Sequence, residues 1–229
     1  VLSAIAIVPS APVLVPELAG AAAAEVSELA AAVLAAAVSL PSRWVVIGTG
    51  DGDDVLGPDG VGTFAGFGAD VRVRLSPGDD GAVPAAFPLC ALLAGWVRGR
   101  ARPDARAQVR VYRGDKEADT ALAQGRQLRA EIDETPDPVG VLVVADGANT
   151  LTPAAPGGYH PGDAEAQLAL DDALANGDVA ALTRLPPPIL GRVAFGVLAG
   201  LAGPGPRSAK ELYRGAPFGV GYFVGAWQP

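Results

Sequence analysis

The chain has 229 residues, which suits one domain with a real core. Its formal net charge is −8 and no segment gathers Lys or Arg, so a nucleic-acid partner is disfavoured: an acidic surface repels a phosphate backbone. Half of the residues are apolar, but residues 1–8 are too few to span a bilayer and the alanine-rich stretch 21–38 carries Glu25 and Glu28, so no membrane association is expected.

In chain order, residues 2–8 form an apolar run stopped by Pro9, the pattern of a strand buried on both faces. A turn over 9–16 follows. Val26, Leu29, Val33, Leu34 and Ala37 then recur at helical spacing and predict a helix over about residues 19–38. Residues 44–47 read as a second buried strand, ended by the Gly48–Gly52 cluster, and 57–68 as a glycine-rich loop. Residues 71–75 alternate apolar and charged, as a half-exposed or edge strand would. A helix is expected over 85–97, a strand over 108–112, and a helix whose apolar face is Ala118, Ala121, Leu122, Leu128 and Ile132. The run 139–144 is the clearest buried strand. After a polar loop over 147–162, Asp163 is placed as the N-cap of a helix that stops at Gly177, and Asp178 as the cap of a short helix to Leu182. A helix over 189–201 and a strand over 219–226 close the chain. Strands alternating with helices predict a single domain over 1–229 of three-layer α/β/α type with a mostly parallel central sheet.

Open α/β sheets bind ligands beyond the carboxyl ends of their strands. Those ends carry Ser10, Thr49, Asp51, Asp53, Asp146 and Asn149, with His160 in the loop that could fold over them. Asp146 and His160 are the candidates for acid–base work; Ser10, Thr49, Asp51 and Asn149 are candidates for holding a ligand. Turn chemistry is the competing reading of Asp51, Asp53 and Asp54, since Asp and Gly favour tight loops. The spacing fits neither a calcium loop nor a phosphate loop, and no GxSxG elbow is present. The one cysteine, Cys90, lies in an apolar run and reads as a small buried hydrophobe; without a second thiol it makes no internal disulfide, which points to a reducing, cytoplasmic setting.

Four segments resemble one family. VPSAPVLVPE (residues 8–17) resembles an opening motif in which a proline precedes a metal-binding histidine. GTFAGFG (62–68), ADGANTLTPAAPGGY (145–159) and APFGVGYFVGAW (216–227) resemble, in order, a glycine-rich segment, a strand-end GDGS…APG stretch and a closing APYGVGY strand. The family is that of the class III extradiol ring-cleavage dioxygenases, the LigB-like group, which includes small actinobacterial-type proteins, with the Memo-like group more distant. The resemblance implies a three-layer fold with a strand-end site and, in ring-cleaving members, Fe(II) held by two histidines and a glutamate. Here the first ligand histidine falls on Ser10, the second on the 48–51 stretch that offers none, and the chain's one histidine is His160. The expectation is therefore a degenerate metal site: no Fe(II) ring cleavage, no resident cofactor, and a role in binding a small molecule or a partner. The alternative is an enzyme of altered chemistry built on Asp51, Asp146 and His160, in which Asp51, Asp146 and Asn149 would suit Mg²⁺ or Mn²⁺. A homo-oligomer through the apolar C-terminal strand, with Tyr222, Phe223 and Trp227, is a third expectation.

Overall fold

The apolar runs become the middle of a sheet, because strands buried on both faces have nowhere else to lie. A computed structural model describes residues 1–78 and 81–229. Its strands are β1 (Leu2–Val8), β2 (Arg43–Gly50), β3 (Asp54–Leu56), β4 (Val61–Thr63), β5 (Arg72–Arg74), β6 (Arg106–Arg113), β7 (Val139–Val144), β8 (Ser208–Gly215) and β9 (Tyr222–Gln228). Its helices are α1 (Pro16–Ala19), α2 (Ser27–Val38), α3 (Leu89–Ala101), α4 (Ala118–Asp133), α5 (Asp163–Asn176), α6 (Val179–Leu182) and α7 (Arg192–Ala202). Among the described residues, seven strands form one sheet in the order β3-β6-β2-β7-β1-β9-β8. The central four, β6, β2, β7 and β1, are parallel; β3 at one side and β9 at the other pair antiparallel to them, and β8 pairs antiparallel to β9.

Alternation along each strand feeds two cores. Ala4, Ala6 and Val8 of β1 and Trp44 and Val46 of β2 face α2 and α3, while Ile5, Ile7, Val45 and Ile47 face α4, α5 and α7. The three-layer α/β/α fold expected from the sequence is thus present, with the mostly parallel sheet as its middle layer. Cys90 is buried in the first core, where loss of water pushes its thiol pKa up to about 12, so it acts as a small hydrophobe.

Several boundaries differ from expectation, each for a local reason. The helix expected over 19–38 begins only at Ser27: Gly20 takes a φ of 54°, which ends α1 and sends residues 20–23 into a 3₁₀ turn. The helix expected over 85–97 is α3, shifted to 89–101, because Pro88 is extended and serves as its N-cap. The helix expected from 189 starts at Arg192, after a turn in which the Ile189 N–H donates to the Pro186 carbonyl. The supposed loop 57–68 contains β4, which pairs with β5 in a separate two-stranded ribbon; the alternating 71–75 segment is thus a half-exposed strand, but of that ribbon and not of the main sheet. Asp54 opens β3, so the GDGDD stretch is a turn only in its first part. The final strand runs 222–228 instead of 219–226. β8 has no counterpart among the expected elements; a register shift between Glu211 and Tyr213 breaks the alternation that would have marked it. Gly162, not Asp163, caps α5; Asp163 lies in the first turn and accepts the Thr150 hydroxyl at 2.6 Å. Asp178 does cap α6, accepting the Ala181 N–H at 3.1 Å.

Candidate functional site

Two neighbouring parallel strands deliver the site. Val8 of β1 stands opposite Val144 of β7, so the chain leaves the sheet at both strands together and brings Ser10 beside Asp146. The Ser10 N–H donates to Asp146 Oδ1 at 2.7 Å. Beyond its carboxyl end β1 runs on to α2 on one face of the sheet, and β7 runs on to α5 on the other, so the two chains part at this rim. That is where α/β sheets open a crevice.

The loop after β7 is held on three sides. The Gly147 N–H donates to the Gly221 carbonyl at 2.8 Å, and the Gly221 N–H returns a bond to the Ala148 carbonyl at 2.7 Å. The Gly191 N–H donates to the Asp146 carbonyl at 2.9 Å, and the Ala148 N–H donates to Gln167 Oε1 on α5 at 2.8 Å. These bonds bring the start of β9, with Tyr222, up to Asp146.

Asp146 keeps some surface open to solvent, yet the protein crowds its carboxyl. Burial raises its pKa to about 7, against the lowering effect of the single Ser10 N–H. The group therefore exchanges a proton near neutrality. Tyr222 is 5 % exposed; burial, and then the nearby Asp146 and Tyr213, hold its phenol above the usual range, so it stays a neutral hydroxyl. A carboxyl that can donate or accept, a phenol and a serine thus share one rim.

Among the described residues, the other residues named from the sequence make no hydrogen bond to this pair. Thr49 is half-buried at the end of β2, opposite Tyr112, and Asp51 is exposed beyond it. Among the described residues neither side chain bonds to Ser10 or Asp146. Asp53 is exposed and occupied: its carboxylate accepts the Arg113 N–H at 2.8 Å and the Lys116 ammonium at 2.7 Å, and these bonds, Lys116 first, hold its pKa below the usual carboxylate range. Asn149 is half-buried and follows the Asp146 loop; its carbonyl accepts the Gly157 N–H at 2.9 Å. His160 is exposed, held by its backbone to Thr150 and Asp163, and its ring has no protein partner among the described residues. Tyr222, Phe223 and Trp227 are all buried within the chain, and Trp227 Nε1 donates to the Leu174 carbonyl at 2.8 Å; they are core groups, not surface for a second subunit.

Sequence reasoning missed Gln167 and Asp171 of α5, both buried. Their signal was present: two polar residues four apart in a helix whose other inward positions are Leu170, Ala173 and Leu174. Among the described residues, no three carboxylate, imidazole or thiol groups gather closely enough to hold a metal ion, and no helix is long and apolar enough to cross a membrane.

No protein-family model and no curated protein matches this sequence. Solved structures match in shape. One is the uncharacterized protein JW3007 from Escherichia coli K12, which superposes with a TM-score of 0.60 over 98 % of this chain and 99 % of its own, at 12 % identity. At that identity the similarity shows the fold alone: a mixed α/β domain whose large sheet lies between helical layers.

Proposed function

We propose that this chain is a ligand-binding relative of the ring-cleavage dioxygenases that has given up iron chemistry, and that it anchors a small polar or aromatic molecule on Asp146 in the crevice between β1 and β7. The observation that carries this reading is the bond from the Ser10 N–H to Asp146 Oδ1. It sets a carboxyl with a raised pKa beside Ser10, the residue that the resemblance matches to the family's first metal ligand, with the Tyr222 phenol nearby. A carboxyl with a pKa of about 7 can accept from a ligand hydroxyl or donate to a ligand oxygen at little cost.

The residues present do not fit Fe(II). A two-histidine, one-carboxylate site needs two imidazoles. The only one in the chain, His160, sits on an exposed loop. No step is assigned to a metal, and among the described residues no cluster of three carboxylate, imidazole or thiol groups supports the Mg²⁺ or Mn²⁺ alternative. One observation favours a second reading, in which Asp146 alone transfers a proton to or from the bound molecule: its pKa matches a general acid–base group at neutral pH. Asp51 and His160 have no part in that version.

Titration with catechol, followed by amide resonances, tests the main reading. Saturable shifts at Ser10, Asp146 and Tyr222 that disappear in Asp146→Ala support it. Stoichiometric iron in the purified protein, or ring opening of catechol on adding Fe(II), overturns it. Chemical conversion of a bound molecule that stops in Asp146→Asn would move the choice to the second reading.

A further inference from the structure

One buried polar chain ends on the backbone of the loop after β7. Gln167 and Asp171 project from α5 into the second core. Gln167 Nε2 donates to Asp171 Oδ1 at 2.8 Å, and Gln167 Oε1 accepts the Ala148 N–H at 2.8 Å. The amide lies in a slot cut by two glycines. A Cβ on Gly147 would stand 1.9 Å from Gln167 Oε1, and one on Gly221 would stand 2.1 Å from it. Across the rim Gly147 donates its N–H to Gly221, and Gly221 donates its own to Ala148; Gly147 stands beside Asp146 and Gly221 beside Tyr222.

We propose that Gln167, oriented by Asp171, is the positioning residue of the Asp146 crevice: its amide fixes the loop after β7 against the start of β9 and so sets where the Asp146 carboxyl and the Tyr222 phenol stand. This rests on the reading of Asp146 as the site's anchor.

Polarity decides which way the amide lies. A carboxamide has two ends, and a buried Gln can be flipped at no cost in shape. Only the orientation with Oε1 toward Ala148 satisfies that N–H, and a carboxylate at Asp171 selects it because an ionised carboxylate only accepts. An aliphatic side chain at 171 would leave the Nε2 end without its acceptor and the choice of orientation lost. The groups facing Asp171 are Gln167 on its own helix, the neighbouring Asp172, and Arg214 and Glu211 from β8. Arg214 is occupied by Glu211 and Asp172, bonding Asp172 at 2.9 Å, so Gln167 remains the partner to which Asp171 bonds. A purely structural polar pair could lie anywhere along α5. This one ends on the backbone between two site residues.

The test follows the Asp146 carboxyl by ¹³C NMR titration in the full chain, so it needs no ligand. The wild-type midpoint checks the underlying reading separately: a value near 4 would remove the anchor itself. Given a wild-type midpoint near 7, Gln167→Ala and Asp171→Leu are expected to lower it by a unit or more as the loop opens to water. They should also speed exchange of the Ala148 amide, while resonances at the far end of the rim, around Asp53 and Lys116, stay put. Asp171→Asn keeps an acceptor for Gln167 and is expected to hold the wild-type midpoint within about 0.3 of a unit. An unchanged midpoint and unchanged Ala148 exchange in Gln167→Ala would overturn the proposal, as would an Asp171→Asn midpoint that falls as far as that of Asp171→Leu. If Gln167→Ala and Asp171→Leu fail to fold, Gln167→Glu decides at high pH: its carboxylate beside that of Asp171 must disturb the Ala148 amide, and an unmoved amide and midpoint overturn the assignment.

Discussion

Asp146 and Asp53 lie on the same rim of the same sheet, on loops that both follow a buried strand, and they have opposite chemistry. Asp53 meets an ammonium and a backbone N–H in open solvent, so its charge is held and its pKa is lowered. Asp146 meets one backbone N–H and is otherwise crowded by protein, so its charge is resisted and its pKa rises to about 7. Residue type and position in the fold do not decide what a carboxylate can do; the number of donors and the amount of nearby water do. The Asp53 end of the rim is a satisfied surface turn. The Asp146 end is where we propose the site.

The comparison can be broken by substitution. Asp146→Asn removes a charge the crevice resists but keeps an acceptor for the Ser10 N–H. At pH 8 it is expected to stabilise the chain by on the order of 2–4 kcal/mol, at about 1.4 kcal/mol per pKa unit; urea unfolding measures this. Gly147→Ala should act in the other direction, costing about 2–3 kcal/mol, because the new methyl collides with Gln167 Oε1 and strains or displaces a buried amide. Its denaturation midpoint checks this at any pH.

The pH dependence sharpens the same contrast. Asp146 and Asp171 have folded-state values of about 7 and about 6, above the ordinary value of roughly 3.9 for an aspartate in an unfolded chain. Between those values the folded chain binds more protons than the unfolded one. The stability linked to these two groups is therefore full below about pH 4 and falls as pH rises toward 7. Urea midpoints at pH 5 and pH 8 should show the decline, and Asp146→Asn should flatten it. The smallest effect belongs to the other end of the rim: Asp53→Asn and Lys116→Ala should each change stability by less than about 1 kcal/mol, with the difference shrinking in high salt.

Much of the layer order was legible because buried parallel strands leave continuous apolar runs, as at 2–8 and 139–144. The misplaced boundaries lie where backbone geometry overrides periodicity, at the positive φ of Gly20 and the extended Pro88. β8 was hidden because its register shift scrambles the alternation that reveals a half-exposed strand. At the site, Ser10 and Asp146 could be named because each directly follows a strand whose end the sequence marks. Their pairing could not, since it depends on β7 inserting beside β1 across more than a hundred residues. Gln167 and Asp171 were overlooked for a different reason: a polar pair inside an apolar helix stripe looks like a solvent-facing turn until the opposing glycines are in place.

The most direct measurement is the titration of the Asp146 carboxyl in the intact wild-type chain by ¹³C NMR. A midpoint near 7 that moves on adding catechol is expected. A midpoint near 4, indifferent to catechol, would make Asp146 another Asp53 and contradict the assignment of the β1–β7 crevice as the functional site.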